Sequence, residues 1–148
     1  MKIIVHTDGG ARGNPGPAAI GVVIQKVDNS RQAKTIAEFG KRIGESTNNV
    51  AEYTAVVEAL EKIKSLALSP ENGERLDVDF FLDSTLVVNQ LNGLFKVKDA
   101  TLRELLTRVR FLEQVVGGVV RYQQVPREQN RRADFFVNQA LDTFLMSG

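Results

Sequence analysis

The apolar run Ile3-Ile4-Val5 leads into Thr7-Asp8-Gly9-Gly10-Ala11-Arg12-Gly13-Asn14-Pro15-Gly16-Pro17, the stretch that most constrains the fold of this chain. The β-branched run reads as a buried strand over Ile3 to Asp8. Four glycines and two prolines among the nine residues after Asp8 exclude a helix and a plain strand, so a turn is expected there. Asp8 is thereby placed at a strand tip. Glycine beside it permits positive φ and the close approach of a second backbone. An acid followed by bare, tightly turned backbone suits a metal next to a polymer backbone. An ordinary Gly/Pro hairpin opened by a turn aspartate is the plainer alternative.

Two further extended segments follow. Ala18 to Val27 is rich in β-branched residues, and Lys34 to Ile43 alternates loosely, with Ile36 and Phe39 expected on the core side. Short turns between them predict an antiparallel meander. Ser46-Thr47-Asn48-Asn49 then offers N-cap oxygens before a helix over Val50 to Leu66, with Val50, Tyr53, Val57 and Leu60 on one side. Leu76 to Leu82 reads as a fourth strand ending at Asp83-Ser84, and Thr85 to Leu91 as a short helix stopped by Asn92-Gly93. After the basic linker Phe95-Lys96-Val97-Lys98, the stripe Leu102, Leu105, Leu106, Val109 and Leu112 marks another helix. Val119 to Val125 is a fifth strand, and Asn130 opens a last helix with Ala133, Val137, Ala140, Leu141 and Phe144 on one face. The expected fold class is α/β. A mixed five-stranded sheet, three strands antiparallel and two parallel, is flanked by helices in one domain over residues 1–148.

Composition narrows the chemistry. The chain has no cysteine and one histidine, which excludes disulfides, thiolate metal sites and a His-rich zinc site. A metal would need oxygen ligands, which points to Mg²⁺ or Mn²⁺. The net charge of +1 gives no overall field for a polyanion, so nucleic acid would have to be held by local clusters. No signal peptide or membrane-spanning run is read, and a cytoplasmic, monomeric protein is expected.

Four acids fall at strand ends or helix starts, where open α/β sheets collect ligands: Asp8, Glu52, Asp83 and Asp134. None has a cationic partner at helical spacing. Clustered carboxylates repel one another unless a divalent ion binds among them, an arrangement suited to phosphodiester hydrolysis with two metal ions.

Four blocks, Thr7 to Pro17, Thr47-Asn48-Asn49-Val50-Ala51-Glu52, Asp83-Ser84 and Asn130-Arg131-Arg132-Ala133-Asp134, resemble those of type 1 ribonuclease H, in the family's order and over essentially the whole chain. The resemblance implies a metal-dependent endonuclease that cuts the RNA strand of an RNA–DNA hybrid, leaving 3′-hydroxyl and 5′-phosphate ends. It makes Asp8, Glu52, Asp83 and Asp134 catalytic, metal-binding acids, with two ions present when substrate is bound. Asn14, Thr47, Asn48 and Asn49 match nucleic-acid contacts, Thr47 through a DNA-strand phosphate, and the Gly10-Ala11 backbone would lie against RNA. Short amides and bare backbone can read 2′-hydroxyls in an open minor groove without reading sequence.

Two departures stand out. The loop Gln124 to Asn130 lacks the histidine that family members often carry there. The basic, Trp-rich arm of many relatives shrinks to Phe95, Lys96 and Lys98, and the chain has no tryptophan. These three residues are the candidates for the arm's contact with substrate. Lys96, Lys98, Arg103, Arg127, Arg131 and Arg132 together read as a phosphate track. His6 reads as packing with one nitrogen satisfied. Phe136 is expected in the core and Phe135 at the surface, and Asp77, Asp79 and Asp142 read as surface acids. Two alternatives stay open: a nuclease of the same fold that also takes double-stranded RNA, and a catalytically silent nucleic-acid-binding domain.

Overall fold

The computed structural model describes the backbone of residues 1–147 and side chains through Thr143, so the expected core position of Phe144 lies outside the described residues. Strand β1 (Lys2–Ala11) pairs antiparallel with β2 (Gly16–Val27), which pairs antiparallel with β3 (Ala33–Ser46). Strands β4 (Asp77–Leu82) and β5 (Val119–Gln124) run parallel to β1, giving the order β3-β2-β1-β4-β5. The helices are α1 (Asn48–Leu66), α2 (Thr85–Leu91), α3 (Ala100–Val116) and α4 (Arg131–Ser147). The mixed sheet and the element order are as the sequence pattern predicts.

Alternation along β2 sorts the helices onto two faces. Ile20, Val22 and Ile24 join a large core with Tyr53, Val56 and Leu60 of α1 and Val109 and Leu112 of α3. Ala19, of the opposite parity, packs with Val137 and Leu141 of α4. The acids at the strand tips therefore lie between α1 on one side and α4 on the other. Ile36 and Phe39 pack, half-buried, against the main core. Among the described residues, no helix is long and apolar enough to cross a membrane.

The structure corrects the opening of the chain. β1 does not end at Asp8 but continues through Gly9, Gly10 and Ala11, paired with Ile20, Ala19 and Ala18. The glycines permit close approach more than turning. A Cβ on Gly9 would lie 2.3 Å from the Ala51 carbonyl carbon, and one on Gly21 would lie 1.9 Å from the Ala133 oxygen. These bare positions let α1 and α4 settle directly on the strands beside Asp8, whose cross-strand partner is Gly21. Helix α1 also starts two residues earlier than Val50. The Thr47 hydroxyl caps it by accepting from the Val50 amide at 3.2 Å.

Candidate active site

Asp8 points from β1, Glu52 from the second turn of α1 and Asp83 from the tip of β4, just before the Ser84 cap of α2. Each offers a carboxylate oxygen, and these three oxygens lie within 4.8 Å of one another. Asp134, in the first turn of α4, joins from the other face, lining the same cavity and adding its charge to the repulsion on Asp8. Asn138, one turn along α4, donates to the Asp134 carboxylate at 3.3 Å and holds it towards the cluster. The i,i+4 spacing of Asp134 and Asn138 is the sequence signal for this contact.

Burial and mutual repulsion set the electrostatics. Burial, then the charges of Asp83 and Asp134, push the Asp8 carboxyl up to about 8 from its ordinary 3.8. Glu52 is driven well above the usual carboxylate range, first by burial and then by Asp8 and Asp83. Asp83 is also raised, chiefly by burial, with Arg127 pulling the other way. Oε2 of Glu52 is buried without a hydrogen-bond partner among the described residues. Three converging acid oxygens, one of them orphaned, form a donor set that fits a hard divalent cation. They line an open cavity of about 450 Å³ that also takes in Gly10, Ala11, Asn48, Asn49 and Arg127.

Known proteins agree with this geometry. A profile of the family described as reverse transcriptase-like matches residues 6–140. The crystal structure of RNase H1 from the halophilic archaeon Halobacterium salinarum superposes with a TM-score of 0.85 at 37% identity, covering 97% of this chain and 99% of that one. The chain belongs to the type 1 ribonuclease H family.

LC11-RNase H1, isolated from compost by metagenomics, has been solved in complex with an RNA/DNA hybrid; it matches this family member with a TM-score of 0.83 at 42% identity over 97% of this chain and 99% of that one. A bifunctional protein of Mycobacterium tuberculosis is 36% identical over 147 residues, 99% of this chain and 37% of the relative. Ribonuclease HI of Halobacterium salinarum is 39% identical over 142 residues, 95% of this chain and 65% of that protein. The chain thus spans little more than a third of the mycobacterial relative.

Of the family's substrate-side positions, Gly10, Ala11, Asn48 and Asn49 line the acidic cavity. Asn14 and Thr47 stand behind them in holding roles. Asn14 Oδ1 accepts from the Asn48 amide at 2.9 Å, and Asn48 Oδ1 accepts from the Ala11 amide at 2.9 Å. This chain of bonds ties the start of α1 to the end of β1 and to the loop that follows it, and uses only the oxygens of the Asn14 and Asn48 side chains. Phe95, Lys96 and Lys98 lie outside the cavity lining, exposed on the α2–α3 connection, with Leu94 even more open than Phe95.

Other expectations need revision. Asp79 is a buried acid, not a surface one, held between Lys2 and Arg121 across the rear of the sheet. It shares the parity of Asp83 but lies four residues back along β4, level with Ile4, and its cations hold it there, away from the cluster. Arg132 drops out of the phosphate track because it pairs with Glu38 at 2.9 Å and lies over the Phe135 and Phe136 rings. His6 is a packed residue: it stacks on Phe81, and its Nδ1 meets Asn130 Oδ1 at 3.0 Å. The Asn130 side chain is buried and donates through Nδ2 to the Thr7 carbonyl at 2.8 Å, so Nδ1 of His6 carries the hydrogen in that contact. Asn130, which in the sequence marks only the opening of the last helix, thus ties the loop before α4 to β1.

Proposed function

We propose that this chain hydrolyses the RNA strand of RNA–DNA hybrids in the acidic cavity, with Mg²⁺ or Mn²⁺ held by Asp8, Glu52, Asp83 and Asp134. The observation that carries the reading is the convergence within 4.8 Å of oxygens from two buried acids and one half-buried one, each on a group whose ionisation the fold opposes. Bound ions, two with substrate in place, would supply activation of the attacking water and stabilisation of the leaving oxygen. The products would be 3′-hydroxyl and 5′-phosphate ends.

The chain's own residues do the rest. Asp8, Glu52 and Asp83 hold cation charge at one spot, and Asn138 steadies the Asp134 carboxylate beside them. The Gly10-Ala11 backbone and the Asn14, Asn48 and Asn49 amides lie against the minor groove, where 2′-hydroxyls mark RNA. The Thr47 hydroxyl accepts from its own helix and keeps its hydrogen for a DNA-strand phosphate. Phe95, Lys96 and Lys98 form a short arm over the DNA strand. The domain acts as a monomer in the cytoplasm.

The test is incubation of end-labelled hybrid, duplex RNA and duplex DNA with Mg²⁺, Mn²⁺ or EDTA. Hybrid is expected to be cut, duplex DNA spared, and cleavage to vanish in EDTA. The exposed and sparse arm favours looser rejection of duplex RNA than a dense basic arm would give. Phosphate contacts set the salt dependence of binding. Exchange of both Lys96 and Lys98 for alanine is expected to lower the slope of log K against log salt by about 1.8, two phosphate contacts. An unaltered slope would place the phosphate track elsewhere while leaving the acid site standing.

A further inference from the structure

The chain contains two Asn-Gly steps, Asn72-Gly73 and Asn92-Gly93, and the fold treats them oppositely. Asn72 and Gly73 are the central residues of a turn between α1 and β4, closed by the Glu74 amide donating to the Glu71 carbonyl at 3.0 Å. Their φ angles of 57° and 73° are those of a type I′ turn, which Asn-Gly favours. Both residues are exposed. Among the described residues, neither the Asn72 side chain nor the Gly73 amide has a hydrogen-bond partner. A Cβ on Gly73 would meet nothing within 4 Å, so the peptide between the two has room to rotate.

Asn92-Gly93 closes α2 and is held at both ends. Asn92 Nδ2 donates to the Tyr122 carbonyl at 3.1 Å, and the Gly93 amide donates to the Gln90 carbonyl at 3.1 Å. The Asn92 backbone, with φ −81° and ψ 0°, is fixed in turn by its amide, which donates to Val88 at 2.9 Å.

Asparagine is a thermolabile residue, and before glycine its open route is ring closure. The glycine nitrogen, after losing its proton to hydroxide, attacks the side-chain carbonyl carbon. A bond forms from that nitrogen to Cγ, the Cγ–Nδ2 bond breaks, and ammonia leaves with a proton taken from water. Water then opens the cyclic imide at either carbonyl, leaving aspartate or isoaspartate. The route needs a free backbone nitrogen and a mobile side-chain amide. Asn72 has both, and Asn92 has neither.

We propose that Asn72 is a spontaneous modification site of this protein, converting to aspartate and isoaspartate in the folded state while Asn92 stays intact. The new carboxylate lowers the formal net charge of +1 by one, to the neutrality at which proteins associate most readily. The turn precedes the start of β4, whereas Asp83 follows its other end, so the change leaves the acid cluster untouched. The inference is independent of the hydrolase reading.

The experiment incubates the purified chain in heavy-oxygen water at mildly alkaline pH, folded in buffer and unfolded in concentrated urea. Peptide mapping by mass spectrometry then follows the label at residues 72 and 92. In the folded protein Asn72 is expected to convert roughly thirtyfold faster than Asn92, because two ordinary hydrogen bonds must first break at Asn92. In urea the two rates should converge. Isoelectric focusing should show an acidic form that grows with time in wild type. Asn72→Gln, which would have to close a larger and slower-forming ring, should lack it. Equal conversion of the two residues in the folded chain, or faster conversion of Asn92, would overturn the proposal. So would a Asn72 labelled only in urea, since the folded turn would then be protective. A ratio that persists unchanged in urea would overturn it as well, placing the cause in local sequence and not in the fold.

Discussion

Asp8→Asn is expected to lower hydrolysis of hybrid by at least about three orders of magnitude, the loss of several kcal/mol of charge stabilisation at the reacting phosphate. The same substitution should make the metal-free protein more stable. Asp8 is buried, its carboxyl stands near 8 rather than 3.8, and ionising it in the fold works against burial and two neighbouring charges. The folded state therefore holds a proton that the unfolded chain releases. Its stability contribution is full below about pH 4, declines as pH rises, and is lost once pH passes about 8. Glu52 and Asp83 are displaced in the same direction and add to the decline. Asparagine carries no charge at any of these values, so its curve should be flatter. Thermal melting in EDTA across that range checks this, and added Mg²⁺ should restore wild type more than the variant. An Asp8→Asn protein with the wild-type decline would show that the cluster is not under electrostatic load. Retained turnover would falsify the assignment of Asp8.

The element order was legible because hydrophobic period changes sharply along this chain. The β-branched runs around Val5 and Val22, the apolar alternation through Phe80 and the helical stripes of α1 and α3 contain little conflicting signal. The four acids stood out in the sequence because each lies near a break in that pattern. What the sequence hid was pairing across the fold. Asp79 looked like a surface acid because Lys2 and Arg121, which hold it, lie on β1 and β5, far off in sequence. Arg132 looked available because Glu38 sits 94 residues away. Asn130 showed no role until β1 was placed against the loop it anchors. Arg127 was one basic residue among six until the loop brought it to the acids while its neighbour Arg132 turned to β3.

Gly9 is ambiguous in sequence for a related reason: a turn and a close approach call for the same residue, and here it is the close approach. The distinction has a large measurable consequence. In Gly9→Ala the new Cβ would meet the Ala51 carbonyl carbon at 2.3 Å, the Ala51 oxygen at 2.4 Å and the Glu52 nitrogen at 2.5 Å. All three are backbone atoms, so no side chain can swing aside and α1 itself must move. Ordinary contact begins near 3.4 Å, which makes the required displacement about 1 Å. The expected destabilisation is on the order of 3 kcal/mol, a fall in melting temperature of about 10 °C. Because α1 carries Glu52, the Mg²⁺-induced gain in melting temperature should shrink, and turnover should fall about a hundredfold from misplacement alone. Gly10→Ala is the internal control. Its Cβ would meet nothing closer than Val137 Cγ1, at 3.6 Å, and its melting temperature should stay within about 2 °C of wild type. If the two substitutions behave alike, α1 is not seated on bare strand at Gly9, and the approach that brings Glu52 to Asp8 must have another origin.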